Sequence, residues 1–383
     1  MDQTVKPQSP WLRSAAWDSF WMLSGIWLLA PLWVFRNTSA ALTWMLIAAT
    51  LILWLSHRFA TTYNAFCTPA YRGLVHEQRT RFLLWPAGII LATFGFVFAP
   101  HWLVPLDTWG KIQVLGTIFF LYNSYHFGVQ HYGVLSIYRI RAGQDHTHWL
   151  KRYEKLFCIA VGTVLVAIAQ ICHGAEVVQD SIMYHVVARE AFASAFGVSR
   201  IIVPLLIGLL AAVFYVGELT SGRVSVPKLL YVAGLTFQGI LAYFLDPISF
   251  LILWGAQHWL VSIALGAHMA QNDKSISLTA SPWYAFWGRF NTGFWPTVFV
   301  LVFVSVALTP FFQFAVHPEK LTDAPGFFSV IVPVLARSVF AHAFIALNFT
   351  SVYVHFVMDR AIFRFSDPAV RKVSVPLLLA RAA

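Results

Sequence analysis

The chain has 383 residues, of which 58% are hydrophobic, 16% aromatic and only 11% charged. A soluble domain carries about 25% charged residues, so this composition, with a mean hydropathy of +0.67, excludes an ordinary water-soluble fold. The formal net charge of +10 is explained by orientation next to anionic lipid, and nucleic acid is not required as a partner.

The first segment, MDQTVKPQSPWLRSAAWDSFW, is polar, and the apolar run that follows lacks a small-residue cleavage site. That run is expected to be retained as a helix. Hydropathy then predicts about ten spans of the ~20 residues that a bilayer requires. They run roughly over 17–35, 40–57, 82–100, 112–138, 152–172, 201–218, 228–246, 249–271, 292–312 and 327–357. Asp246-Pro247 leaves only a tight turn before the eighth. The tenth is longer than a bilayer needs and contains Pro333, which predicts a tilt, a kink or an extension into the cytoplasm. Segments 59–80 and 176–199 read as interfacial helices on the inner and outer sides.

Basic residues test this count. With the N-terminus inside, 20 of the 26 Lys and Arg fall in inner segments, five fall outside (Arg36, Lys111, Arg189, Arg200, Lys320), and Arg337 lies within a span. That bias follows the positive-inside rule. The expected architecture is therefore an all-α integral membrane protein, residues 1–383 forming a single transmembrane helical domain with both termini cytoplasmic. A bacterial-type inner membrane is the expected location. Many of the 16 Trp lie near predicted helix ends, as an interfacial belt does. The three cysteines, Cys67, Cys158 and Cys172, show no C-x-x-C spacing and read as small buried hydrophobes.

The chemistry-bearing feature is histidine within apolar segments: His126 and His131, His258 and His268, His342 and His355. Ionisable groups are costly in lipid and mark polar interiors or pathways, and imidazole is the commonest side-chain ligand for transition metals. In the predicted topology the second, fourth, eighth and tenth spans run from outside to inside. His57, His131, His268 and His355 then come near their inner ends, while His126, His258 and His342 lie deeper. His126 and His131 are five residues apart, about 140° round a helix, and His258 and His268 are ten apart, about 15 Å along it. Neither pair chelates one ion as i, i+4 histidines do, so a site must be assembled between helices. His355 and Asp359 share a face, which Asn348 and Ser351 continue. Gln130 and Gln257 precede His131 and His258 and read either as acceptors that fix a ligand tautomer or as interhelical ties. Arg337 is the one clear cation within a span, on the face of Asn348.

Acidic residues are almost absent from the spans, which weakens a proton-pump or cation-coupled reading. No G-x-S-x-G, Walker, H-E-x-x-H or dinucleotide-binding signature occurs. In general type, a polytopic chain with scattered inner-side histidines, the sequence resembles the membrane-bound non-heme iron enzymes. That resemblance is compositional. The H-x-x-x-H and H-x-x-H-H boxes of membrane desaturases and alkane hydroxylases are absent, so no residue role carries over from them.

These features lead to the expectation of a metal-dependent membrane oxidoreductase, of oxygenase or desaturase type, acting on a lipophilic small molecule. The metal ligands would come from His126, His131, His258, His268, His342 and His355, with Asp359 and Arg337 as further site residues. Non-heme iron is the expected metal, ahead of copper, zinc or heme. Expected partners are membrane lipids and an electron-donor protein or larger membrane complex. A transporter, an assembly factor or a heme- or quinone-linked electron-transfer subunit are the alternatives.

Overall fold

The computed structural model describes residues 9–38, 40–144, 149–169, 189–245, 247–275, 281–314 and 339–380. All regular structure among them is helical. The helices are α1 (Ala15–Trp21), α2 (Ser24–Trp27), α3 (Leu29–Thr38), α4 (Ala40–Cys67), α5 (Arg72–Glu77), α6 (Trp85–Phe98), α7 (Thr108–Arg141) and α8 (Leu150–Ile159). They continue as α9 (Arg189–Leu219), α10 (Val226–Leu241), α11 (Pro247–Gln271), α12 (Pro282–Gly288), α13 (Phe294–Phe314), α14 (Val339–Phe363) and α15 (Pro368–Leu379). A π-helical turn leads into α6 over Thr80–Leu84, and another follows α8 over Ala160–Leu165.

Three stretches among the described residues are long and apolar enough to cross a membrane: Thr80–Phe98, Gly197–Leu219 and Ala341–Phe363. The first turns Leu83, Leu84, Trp85, Ile90 and Leu91 outward, which suits lipid and not water.

Several elements depart from the hydropathy reading. The expected span 17–35 is broken into α1, α2 and α3. Asp18 is the cause at its start: the buried carboxylate accepts Leu12 N–H at 2.8 Å, Arg13 N–H at 3.1 Å and the Tyr138 hydroxyl at 3.0 Å. Those bonds fold the preceding segment back over α1, whose first turn is capped by Ser14. The expected inner interfacial helix over 59–80 instead begins as a continuation of α4 to Cys67, followed by a 3₁₀ turn over Pro69–Tyr71 and the short α5. Of the segment expected to be an outer interfacial helix, 189–199 is continuous with α9, and 176–188 lies outside the described residues.

The chain divides into two compact units. One comprises Met1–Ile47, Phe120–Val261 and Arg381–Ala383, the other Ala48–Phe119 and Ser262–Ala380.

In the first unit α7 and the α8 segment approach closely. A Cβ on Gly128 would lie 2.2 Å from Thr163 Oγ1 and 3.0 Å from the Cys158 carbonyl, and one on Gly162 would lie 3.1 Å from Gly128 Cα. Two glycines opposite each other allow this backbone contact, as small residues do between membrane helices. The contact is fastened by Thr163 Oγ1 donating to the Ser124 carbonyl at 3.0 Å. A buried charge network ties α7, α8, α9 and α10 together. Lys228 contacts Glu154 at 2.5 Å and Glu218 at 2.6 Å, and Arg139 pairs with Glu154. Gln144 donates to Glu218 at 2.6 Å and accepts from Lys228 at 2.8 Å, and Ser225 N–H donates to Glu218 at 2.9 Å. Two cations and two carboxylates cancel, which is how such charges are tolerated inside a fold.

In the second unit α6 packs on α14 around Val97, Leu115, Ile345 and Ala346. Lys111 Nζ closes the end of α6 by donating to the carbonyls of Val97 at 3.0 Å and Ala99 at 2.6 Å, a cation on the unsatisfied carbonyls of a helix C-terminus. The lower end of α4 is held by side chains from distant sequence. Asn64 Nδ2 donates to the Gly266 carbonyl at 3.2 Å, and Asn291 Nδ2 donates to the Cys67 carbonyl at 3.1 Å. Asp367 caps α15, accepting Ala369 N–H at 3.0 Å, and pairs with Arg81 at 2.8 Å.

Candidate metal centres

The second unit brings α4 and α14 side by side through one polar stripe. His57 and His355 are buried, with ring centroids 4.5 Å apart and planes at 79°. Asp359, one helical turn beyond His355, places Oδ1 3.3 Å from its Nδ1. Ligand-capable atoms of His57 and His355, and of His355 and Asp359, come within 4.8 Å of one another. Donors ~2.1 Å from a shared ion sit at most ~4.2 Å apart, so small side-chain rotations bring these pairs within range. The two pairs share His355 and offer imidazole and carboxylate donors without a thiolate.

Above this pair the stripe continues exactly as helical spacing requires in register, through Ser351 and Asn348. Both receive Arg58 of α4: Nη1 donates to Ser351 Oγ at 2.8 Å and to Asn348 Oδ1 at 2.9 Å. The helix α14 thus presents one polar face to one polar face of α4.

The first unit holds buried histidines of its own. His126 of α7 and His258 of α11 are buried, with ring centroids 5.0 Å apart and planes at 82°. Phe127 lies over His258 at 4.1 Å between centroids. His131, one and a half turns along α7, is buried too. Its Nδ1 is 2.7 Å from the Tyr231 hydroxyl of α10, and its Nε2 has no hydrogen-bond partner among the described residues. A ring with one nitrogen engaged and the other bare has the form of an oriented ligand. Trp254 packs edge-on at 5.1 Å, and the absence of a side chain at Gly162 leaves room for the ring.

The remaining expected residues are placed elsewhere. His268, in the second unit, has Nε2 3.0 Å from the Leu378 carbonyl, and Gln271 and Asn272 each reach a ring nitrogen at 3.2 Å. That setting ties α11 to α15. His342 is half-buried, with Nε2 3.1 Å from Thr108 Oγ1. Thirteen residues separate it from His355 on α14, roughly 20 Å along the axis, so it does not join the His57–His355 pair. Gln257 directs its amide at Gly25, where an added Cβ would meet Oε1 at 2.6 Å. Arg337 lies outside the described residues.

Four participants escape sequence reasoning. Arg58 reads as one more inner-segment cation, Tyr231 lies 100 residues from its histidine, and Glu154 and Lys228 fall at the ends of the spans expected over 152–172 and 228–246. Only Arg58 carries a local signal, since Trp54 stands one turn before it on α4.

Comparison of this chain with known protein families, with curated proteins and with solved structures finds no match.

Proposed function

We propose that the chain is a multi-pass inner-membrane metalloenzyme of oxidoreductase type, with about ten spans and both termini cytoplasmic. The centre would be non-heme iron held by His57 and His355 with Asp359, and the substrate a lipophilic small molecule. The single observation that carries the reading is the buried His57–His355 pair with a carboxylate 3.3 Å from His355. Two imidazoles and one carboxylate without sulfur suit Fe(II) and leave positions open for oxygen chemistry. His126, His131 and His258, buried in the first unit, are further candidate ligands.

Iron would supply the oxygen activation; the chain's own residues hold it and exclude water. His57, His355 and Asp359 are all buried, so a centre there would be dry.

The test is metal content by mass spectrometry of detergent-purified protein, with an absorption spectrum of the same sample. Iron in the wild type, absent from H57A and H355A variants that keep their elution profile, supports the reading. No metal after iron-supplemented growth, or full occupancy in a H57A/H355A/D359N variant, sinks the centre assigned to α4 and α14. A Soret band in place of colourless iron would replace it with heme.

A further inference from the structure

Arg58 is 2% exposed, yet no carboxylate pairs with it among the described residues. Its guanidinium is fixed on two sides. The plane stacks on Trp54, with Cζ 3.4 Å from the ring centroid. Nη1 is spent on Ser351 Oγ at 2.8 Å, Asn348 Oδ1 at 2.9 Å and the Asn348 carbonyl at 3.3 Å. The other two nitrogens, Nε and Nη2, are buried without a hydrogen-bond partner among the described residues.

Those two nitrogens are one of the parallel-donor edges of the guanidinium. That edge matches two oxygens of a carboxylate or phosphate and binds them in a bidentate pair. A buried cation left with a bare donor edge is costly. A structural arginine in this position would be expected to spread its donors over helix carbonyls, and here only Nη1 does so. The stacking and the Asn348–Ser351 clamp hold the group in one orientation before any ligand arrives, which lowers the ordering cost of binding. Leu55, Val352 and Phe356 on the same two helices are buried as well. A chain this apolar, with helices of membrane-crossing length, favours an anion carried on an apolar body.

We propose that the Nε–Nη2 edge of Arg58 binds the oxyanion head of a lipophilic ligand. Resting on the reading above, this assigns the substrate class: an amphiphile with an anionic head, anchored one residue from His57. A fatty carboxylate and a lipid phosphate share the required pair of oxygens.

The experiment is equilibrium binding of radiolabelled oleate to the full chain in neutral detergent, with methyl oleate and oleyl phosphate as competitors. Metal content is measured in parallel. Displacement by oleyl phosphate but not methyl oleate is expected. R58K, which keeps charge and bulk but loses the fork, should weaken oleate binding about 10–100-fold. If oleyl phosphate binds and oleate does not, the head is a phosphate, and the Arg58 assignment stands. Equal competition by methyl oleate overturns it, as does wild-type oleate affinity in R58K. Should R58K misfold, N348A/S351A loosens the clamp and must also weaken binding. Oleate held through Arg58 by a protein without iron would defeat the metalloenzyme reading alone. Iron present with no head-group discrimination would defeat this one alone.

Discussion

His57 and His355 stand edge to face with ring centroids 4.5 Å apart, although 298 positions separate them in the chain. Neither ring is within reach of the other by any local rule. The stripe Asn348, Ser351, His355, Asp359 brings them together, because it repeats at three and four residues and so presents one face of α14 to α4.

Asp359 is the carboxylate of the proposed centre. An Asp359→Asn substitution keeps the shape but removes the carboxylate that faces Nδ1, and is expected to lower metal affinity about 10–100-fold. Titration of the apo-protein with Fe(II) under anaerobic conditions reads this directly. Unchanged affinity would make Asp359 a bystander.

The first unit's group has its own probe. Tyr231→Phe deletes the hydroxyl 2.7 Å from His131 Nδ1 and leaves the rest of the side chain in place. If His131 is a ligand, metal retention should fall about tenfold or more while the thermal midpoint moves little. A change in stability alone would assign the bond to packing.

Lys228 neutralises two carboxylates, Glu154 and Glu218. Lys228→Met leaves negative charge buried, and removal of one partner of such a group costs about 3–5 kcal/mol. The variant should lose most of its thermal stability in detergent. Adding Glu218→Gln should recover part of that loss, because one unpaired charge is removed. A Lys228→Met protein as stable as wild type would mean that the network is solvated.

Asp367 predicts a pH response outside the apolar spans. Hydrogen bonding from Arg81, together with the backbone N–H groups of Val370 and Ala369, holds its carboxyl below the usual aspartate range. A carboxylate depressed in the folded state adds stability that is complete above the unfolded value near ~3.9. That stability is lost as the pH falls through the folded value. Melting curves of wild type and Asp367→Asn between about pH 6 and pH 3 should therefore converge at the acid end. The pair is partly exposed, so the effect is small and weakens with salt. Parallel curves throughout would remove the pair from the account.

Gly128 tests the α7–α8 contact. A valine there places its Cβ 2.2 Å from Thr163 Oγ1 and 3.0 Å from a backbone oxygen, so the helices must separate. The expected cost is about 1–3 kcal/mol or more, seen as a lower midpoint or poor expression. Wild-type behaviour would show that the two segments do not touch.

The sequence by itself determined the class of molecule. With 58% hydrophobic and 11% charged residues the chain has too little polar surface for water, and the described residues are all-helical with three apolar helices of crossing length. It also singled out the histidines within apolar segments as candidate ligands and placed Asn348, Ser351, His355 and Asp359 on one face, since both follow from composition and helical period. Which histidines meet was decided only by tertiary structure. His57 joins His355, His126 joins His258, and His268 turns to the Leu378 carbonyl, because partner choice depends on how helices rotate and pack against each other. Depth along a span does not set that rotation. Arg58 makes the same point: as a letter near a span end it counts as a cytoplasmic cation, and only the packing of α14 on α4 turns it into a buried guanidinium with one donor edge unpartnered among the described residues.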